Sequence, residues 1–198
     1  MAVTPNYSWP VPVNTDYVKD GAEAIKDLGD AIDATVFGLP SGALALVKTQ
    51  TIGTAVSSVT VSDAFSATYD NYKIIVSDGA GSIENYINFR VGSATTGYYN
   101  TRWAADYSAA SYSNAPTNNG GYWNYIGWSS VNFNTFTMEI QSPFLAKNTI
   151  FSSSWGGNTF GATCQGYQST ASSWTSFQIV KNSGTMTGGT IRVYGYQN

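Results

Sequence analysis

The stretch Thr135-Phe-Thr-Met-Glu-Ile-Gln141 has two chemically different sides. Phe136, Met138 and Ile140 fall on one side of an extended chain; Thr135, Thr137 and Glu139 fall on the other. Side chains alternate across a strand, so this spacing describes a strand with one buried face. The closing stretch Gly188-Gly-Thr-Ile-Arg-Val-Tyr-Gly-Tyr196 repeats the pattern: Ile191 and Val193 oppose Arg192, Tyr194 and Tyr196. Working outward, strand signals recur at 45–51, 56–61, 72–76, 86–91, 98–103, 122–128, 149–154, 160–167 and 175–180. Turns are marked by Asp78-Gly-Ala-Gly81, Asn118-Asn-Gly-Gly121, Gly156-Gly-Asn158 and Thr187-Gly-Gly189. Many short strands separated by turns predict a mainly β fold, with a jelly-roll-like antiparallel β-sandwich over 42–198. The polar stretch 107–121 reads as a loop, and no internal repeat points to a solenoid.

Composition agrees with a folded β-protein. Charged residues make up 11% of the 198, and aromatics 15%; disorder needs the opposite balance. Residues 1–39 hold two Lys against six Asp/Glu, net −4, and the rest holds seven Lys/Arg against six Asp/Glu, net +1. A nearly neutral main domain argues against nucleic acid, whose binding needs Lys and Arg to neutralise phosphates. Electrostatic attachment to a membrane surface is disfavoured for the same reason. The opening residues lack the basic start and apolar core of a signal peptide. No run approaches the ~18 apolar residues of a membrane span. The expectation is synthesis in a cytoplasm, with no membrane insertion.

Residues 1–14 carry Pro5, Pro10 and Pro12 with Tyr7 and Trp9 between them. Proline biases the chain toward extended geometry, so this segment reads as an extended attachment arm anchored by Tyr7 and Trp9. A helix follows over 15–37, with Asn14 or Thr15 to cap it and Asp16 and Asp20 near its positive end. Val18, Ala22, Ile25, Gly29, Ile32 and Val36 are spaced 4, 3, 4, 3, 4, a heptad seam flanked by Leu28. The seam is shorter than the three or four heptads of a self-sufficient coiled coil. It therefore predicts association only with help from the β-domain. An amphipathic helix lying on its own β-domain is the alternative. Gly38-Leu-Pro-Ser-Gly42 breaks the helix and bounds the domain.

Catalytic constellations are largely missing. With no histidine, the chain builds neither a Ser-His-Asp nor a Cys-His unit. A single cysteine, Cys164, excludes an internal disulfide and a Cys/His metal site, and reads as a small buried side chain. Asp78, Glu84 and Asn85 are oxygen ligands in type, but they fit a polar hairpin loop and lack EF-hand spacing. Carboxylates in the β-domain stand singly near turns, whereas a glycosidase needs two across a sugar. The expectation is a protein that is not an enzyme and needs neither cofactor nor metal. What the sequence does concentrate is aromatic rings between Tyr98 and Trp128, interleaved with Asn and Ser. Flat rings with amide and hydroxyl groups suit sugars, and the same mixture serves protein-binding loops. The candidate recognition residues are Tyr99, Trp103, Tyr107, Tyr112, Asn118, Asn119, Trp123 and Tyr125. Tyr122, Ile126 and Trp128 fall on the opposite face from Trp123 and Tyr125, so one face packs inward and the other meets a subunit or a ligand.

Four segments resemble a known family. Trp9-Pro-Val-Pro-Val-Asn-Thr-Asp-Tyr-Val-Lys-Asp-Gly-Ala-Glu-Ala-Ile-Lys-Asp-Leu-Gly-Asp-Ala-Ile-Asp33 resembles the N-terminus of minor tail and tail-fibre proteins of tailed bacteriophages. So do Lys48-Thr-Gln-Thr-Ile-Gly53, Ala64-Phe-Ser-Ala-Thr-Tyr-Asp-Asn-Tyr-Lys-Ile-Ile-Val-Ser77 and the closing strand; 98–170 matches no pattern. The resemblance implies a virion fibre protein, homotrimeric through Val18, Ala22, Ile25, Leu28, Ile32 and Val36. Its N-terminal part would meet other virion proteins, and its β-domain would bind a host-surface glycan or protein. A capsid or tail decoration protein without a receptor, and a glycan depolymerase, are the alternatives.

Overall fold

The computed structural model describes residues 2–13, 17–38 and 43–197, and the chain divides into two compact units, 1–42 and 43–198. The expected caps Asn14 and Thr15, with Asp16, and the break at 39–42 lie outside the described residues.

In the first unit, β1 (Ala2–Val3) pairs antiparallel with β2 (Pro10–Val11). A single-turn 3-10 helix, Val18–Asp20, leads into α1 (Gly21–Gly38). The expected extended arm is thus a hairpin. Thr4 closes it: its Oγ1 accepts from the Trp9 amide at 3.0 Å, and its own amide donates to the Trp9 carbonyl at 2.9 Å. Trp9 Nε1 donates to Thr35 Oγ1 at 2.8 Å, holding the hairpin on the helix, and Tyr7 stacks on Trp9 at 5.1 Å. The helix turns Ala24 inward, with Leu28, Ala31 and Thr35 half-buried along the same stripe. Val18, Ala22, Ile25 and Val36 of the heptad seam face outward instead, and Ile32 is partly covered. Val18 belongs to the 3-10 turn rather than to α1.

The second unit is mainly β, with large antiparallel sheets. In chain order its strands begin with β3 (Leu44–Thr51), β4 (Ser58–Val61), β5 (Asn71–Ser77), β6 (Ala80–Gly81) and β7 (Asn85–Val91). Next come β8 (Tyr98–Asp106), β9 (Tyr112–Gly120), β10 (Trp123–Ser129) and β11 (Asn134–Gln141). The last are β12 (Thr149–Gly156), β13 (Phe160–Gln168), β14 (Phe177–Lys181), β15 (Met186–Thr187) and β16 (Thr190–Tyr196). A shorter layer runs β4-β14-β7-β10, and a longer one runs β3-β16-β5-β11-β12-β13-β8-β9. β11 joins them: Asn134 and Thr135 pair with β10, and from Phe136 onward the strand pairs with β5. β6 and β15 form a small separate ribbon. The network has more strands than the eight of a jelly roll, and they divide four and eight.

The core lies between the layers. Trp123 of β10 meets Phe151 of β12 at 4.2 Å and the edge of Tyr98 at 5.5 Å. Phe89 stacks between Trp123 and Phe177. Burying one such side chain contributes about 1.5–3 kcal/mol, so these rings and Ile74, Ile87, Met138, Ile140 and Ile179 dominate the domain's stability. Cys164 is buried, and desolvation pushes its thiol up to about 12.

The stretch expected as a loop is largely strand. Tyr112–Gly120 pairs with β8 as the last strand of the longer layer. An edge strand has one unpaired side, which tolerates Pro116 and needs no apolar face.

Candidate functional site

The two faces of the longer layer follow from period two. Inward, β5, β11, β12 and β16 place Ile74, Met138, Phe151 and Ile191. Outward, neighbouring strands align polar side chains in rows, with aromatic and aliphatic ones among them. One row runs Lys73, Glu139, Ser152, Gln165 and Thr101; the next runs Ile75, Thr137, Ser154, Thr163 and Trp103. A third runs Gln141, Ile150, Tyr167 and Tyr99.

These rows floor a trough. A cavity of about 600 Å³ is lined by Gln141, Ile150, Ser152, Gln165 and Tyr167, among others. A second, about 340 Å³, shares Ser152 and Gln165 with it, and a third, about 530 Å³, shares Gln141. Tyr99 and Tyr167 stack at 4.9 Å with their planes 9° apart, and Ile150 is half exposed beside them. The wall chemistry is hydroxyl and amide. Lys73 and Glu139 neutralise each other at 3.1 Å. The Tyr196 hydroxyl donates to the same Glu139 carboxylate, and burial together with that carboxylate pushes the phenol up to about 12.

The sequence-predicted recognition residues do not gather in one place. Tyr99 and Trp103 stand on the outer face of β8, with Trp103 57% exposed. Tyr107 and Tyr112 are exposed on the same side, Tyr112 opposite Ala105 and Tyr107 close to Gly156 and Gly161. Asn118 is exposed on β9, whereas Asn119 adopts φ +52° and its side chain accepts from the Gly97 amide at 2.9 Å. Asn119 therefore holds a turn. Trp123 is fully buried and leaves the candidate surface, because its ring packs into the core against Phe89, Tyr98 and Phe151. Tyr125 points into a separate cluster with Tyr86 and Arg102.

The expected two-faced alternation of 122–128 fails for a local reason. Tyr125 has φ +66°, and the register against β7 shifts between Trp123 and Gly127. A bulge of this kind re-aims the side chains after it. Trp123, Ile126 and Trp128 are all buried as a result. The trough residues Gln141, Ile150, Ser152, Gln165 and Tyr167 escaped the sequence reading. Their signal was present in the period-two spacing of Ser152, Ser154, Thr163 and Gln165, which marks an outer face without saying that it is hollow.

No group of three potential metal-binding Cys, Asp or Glu side chains occurs among the described residues. No helix among them is long and apolar enough to cross a membrane. Glu84 accepts from Asn158, and Asn85 accepts from the Tyr86 amide at 2.8 Å.

No family model matches the chain, and no curated protein matches it. Among solved structures it is similar to the tripod (BppUct-A-L) from the baseplate of bacteriophage Tuc2009, at 12% identity and TM-score 0.19, covering 95% of this chain and 98% of that one. It is also similar to the Aeromonas sobria serine protease–chaperone complex, at 9% identity and TM-score 0.17, over 87% of this chain and 30% of that one. A lectin from Bauhinia forficata in complex with GalNAc is similar at 9% identity and TM-score 0.16, over 81% of this chain and 96% of that one. Scores this low carry no argument about function, so the functional reading rests on the resemblance of the N-terminal string and on the trough.

Proposed function

We propose that this chain is a non-enzymatic virion fibre protein of a tailed bacteriophage, whose β-domain binds a neutral host-surface glycan in the trough on the outer face of the longer layer. The observation that carries the binding site is the trough itself. Its cavities share Gln141, Ser152 and Gln165, and stacked Tyr99 and Tyr167 stand beside amide and hydroxyl walls. Ligand sites are concave, with aromatic surface and a few polar groups that fix orientation. A trough with its two charges paired suits a polyol better than an ion. Glu139 is the trough's carboxylate, and it is engaged by Lys73 and Tyr196. Two carboxyls flanking a bond are needed for glycoside hydrolysis, which favours binding over cleavage.

The test is a screen of neutral oligosaccharides against the β-domain, followed by Gln165→Ala and Tyr167→Ala. Binding in the screen with at least tenfold weakening in both variants supports the reading. Full retention of binding in both removes the trough from it.

A homotrimer is the second part of the proposal. It is favoured by the outward seam, where Val18 is 98% exposed, Ile25 69% and Val36 58%. Three copies would bury these side chains against each other while the hairpin stays on the opposite stripe of each helix. Light scattering at micromolar concentration checks this, and a monomer mass counts against it. If both glycan binding and adsorption fail while the trimer holds, the chain is a decoration protein.

A further inference from the structure

Arg102 has an unusual position for a cation. It lies on β8 with its side chain directed inward, 8% exposed, and it forms no salt bridge among the described residues. Its guanidinium lies 5.2 Å from the ring centres of both Tyr86 and Tyr125. One terminal nitrogen donates to the Tyr86 hydroxyl at 2.5 Å and the other to Ser113 Oγ at 3.1 Å. Nε has no hydrogen-bond partner. A buried charge held only by aromatic faces and neutral hydroxyls keeps much of its desolvation cost. An anion brought to it would gain strongly, because the guanidinium fork matches a carboxylate.

The space for such an anion exists. A cavity of about 250 Å³ is lined by Arg102, Tyr86, Ser111, Ser113, Phe160 and Asp106, among others. That is below the range of ~300–1,000 Å³ for drug-sized ligands, so the guest is one small ring. Asp106 is the acid nearest in sequence, yet its Oδ1 already accepts from the Ser108 amide at 2.8 Å, the Ser108 hydroxyl at 2.9 Å and the Ala109 amide at 3.1 Å. Those bonds hold its carboxyl below the usual range. It is engaged by its own loop and does not serve as the counter-ion.

We infer that the Arg102 cavity is a second binding site, which takes the carboxylate of an acidic monosaccharide unit. The sugar part of this inference rests on the glycan reading above; the carboxylate part does not. Ser111 and Ser113 offer hydroxyls to the ring oxygens, and Phe160 and Tyr86 offer apolar surface. The carboxylate faces the guanidinium.

The experiment follows the Arg102 Nε–H and Trp103 indole signals by NMR in the full chain. The probes are methyl β-glucuronide and methyl β-glucoside, which differ in the carboxylate. The glucuronide should shift the Arg102 signal saturably, and the glucoside should leave it unmoved. Arg102→Gln removes the response but risks the fold, so Asp106→Asn is the decisive variant. It keeps Arg102 in place, preserves an acceptor oxygen and removes a like charge from the cavity. It should tighten glucuronide binding about two- to fivefold, the scale of one exposed charge interaction. The inference is overturned if the glucuronide leaves Arg102 unmoved at tens of millimolar, if both probes shift it equally, or if Asp106→Asn does not tighten binding. Tyr167→Ala separates the two sites: it weakens the trough and should leave the Arg102 response intact.

Discussion

Strands β8 and β10 are both rich in aromatic rings, and they place those rings in opposite ways. β10 sends Trp123 and Trp128 into the core, where Trp123 touches Phe89, Tyr98 and Phe151. β8 buries Tyr98 but turns Tyr99 and Trp103 outward. Each strand carries three aromatic rings, but the strands differ in position. β10 lies at the corner where the two layers join, so solvent reaches little of it. β8 lies one strand from the sheet edge, with a solvated face. A ring is core or surface according to the face of the strand it occupies and what covers that face, and that covering is made by long-range pairing.

The largest test of this contrast is a pair of tryptophan truncations. Trp123→Ala should cost about 3–5 kcal/mol, the usual toll for emptying a large buried ring site. Trp103→Ala should stay within about 0.5 kcal/mol. Urea unfolding of both variants measures the difference, and similar losses would erase the distinction between the strands.

Next in size is Gly166→Ala on β13. A Cβ there would stand 2.1 Å from the Tyr99 carbonyl oxygen and 2.6 Å from Asn100 Cβ. Neither neighbour is the free end of a side chain, so the β8–β13 pairing must yield. Destabilisation of about 1–3 kcal/mol is expected from overpacking. The same shift would part the Tyr99–Tyr167 stack and weaken any trough ligand. A stable variant with unchanged binding would show that β8 is held less tightly than its register suggests.

A smaller effect isolates the stack itself. Tyr99→Ala, Tyr167→Ala and the double variant form a cycle. The coupling should be about 0.5–1.5 kcal/mol, the range for aromatic pairs. A value near zero would mean that the rings lie side by side without supporting each other, and would weaken the case for a preformed trough wall.

The sequence made much of this architecture legible, and the reasons for the failures are specific. Alternation of Phe136, Met138 and Ile140 identified β11 and its buried face, because period two is a local property. It could not show that Asn134 and Thr135 pair with one layer and the rest of the strand with the other. The edge strand β9 was hidden because Asn, Ser and Pro116 carry no strand preference, and its order comes from hydrogen bonds to β8. β10 misled through a bulge at Tyr125, invisible in residue types. The hairpin of 2–11 was read as an extended arm because the Thr4 bonds that close it are not a spacing pattern. The helix seam was legible as a stripe, and the structure turns the opposite stripe, Ala24 and Leu28, toward the hairpin. The aromatic density around β8 was legible, whereas the outward placement of Tyr99 and Trp103 and the hollow beside them were not. A trough is made by strands that are far apart in the chain.

A last test concerns how dry the layer of β10 is. Lys181 closes β14, one strand from β7 and two from β10, and is 4% exposed. Its ammonium donates to the Ile83 carbonyl at 2.8 Å and forms no salt bridge among the described residues. Burial lowers its pKa from 10.5 to about 8. The unfolded chain then binds more protons than the folded one between about pH 8 and 10.5, and stability from this group rises with pH across that window. Cys164 acts oppositely: its folded thiol is raised, so its contribution is lost as pH climbs above its unfolded value of 9.0 toward about 12. A direct pH scan would mix the two. The useful quantity is the stability of the natural chain minus that of Lys181→Met, in which Cys164 is common to both. That difference should climb from pH 8 to 10.5 and level off beyond. A flat difference would mean that water reaches the ammonium, and that the layer around β10 is wetter than the burial of Trp123 implies.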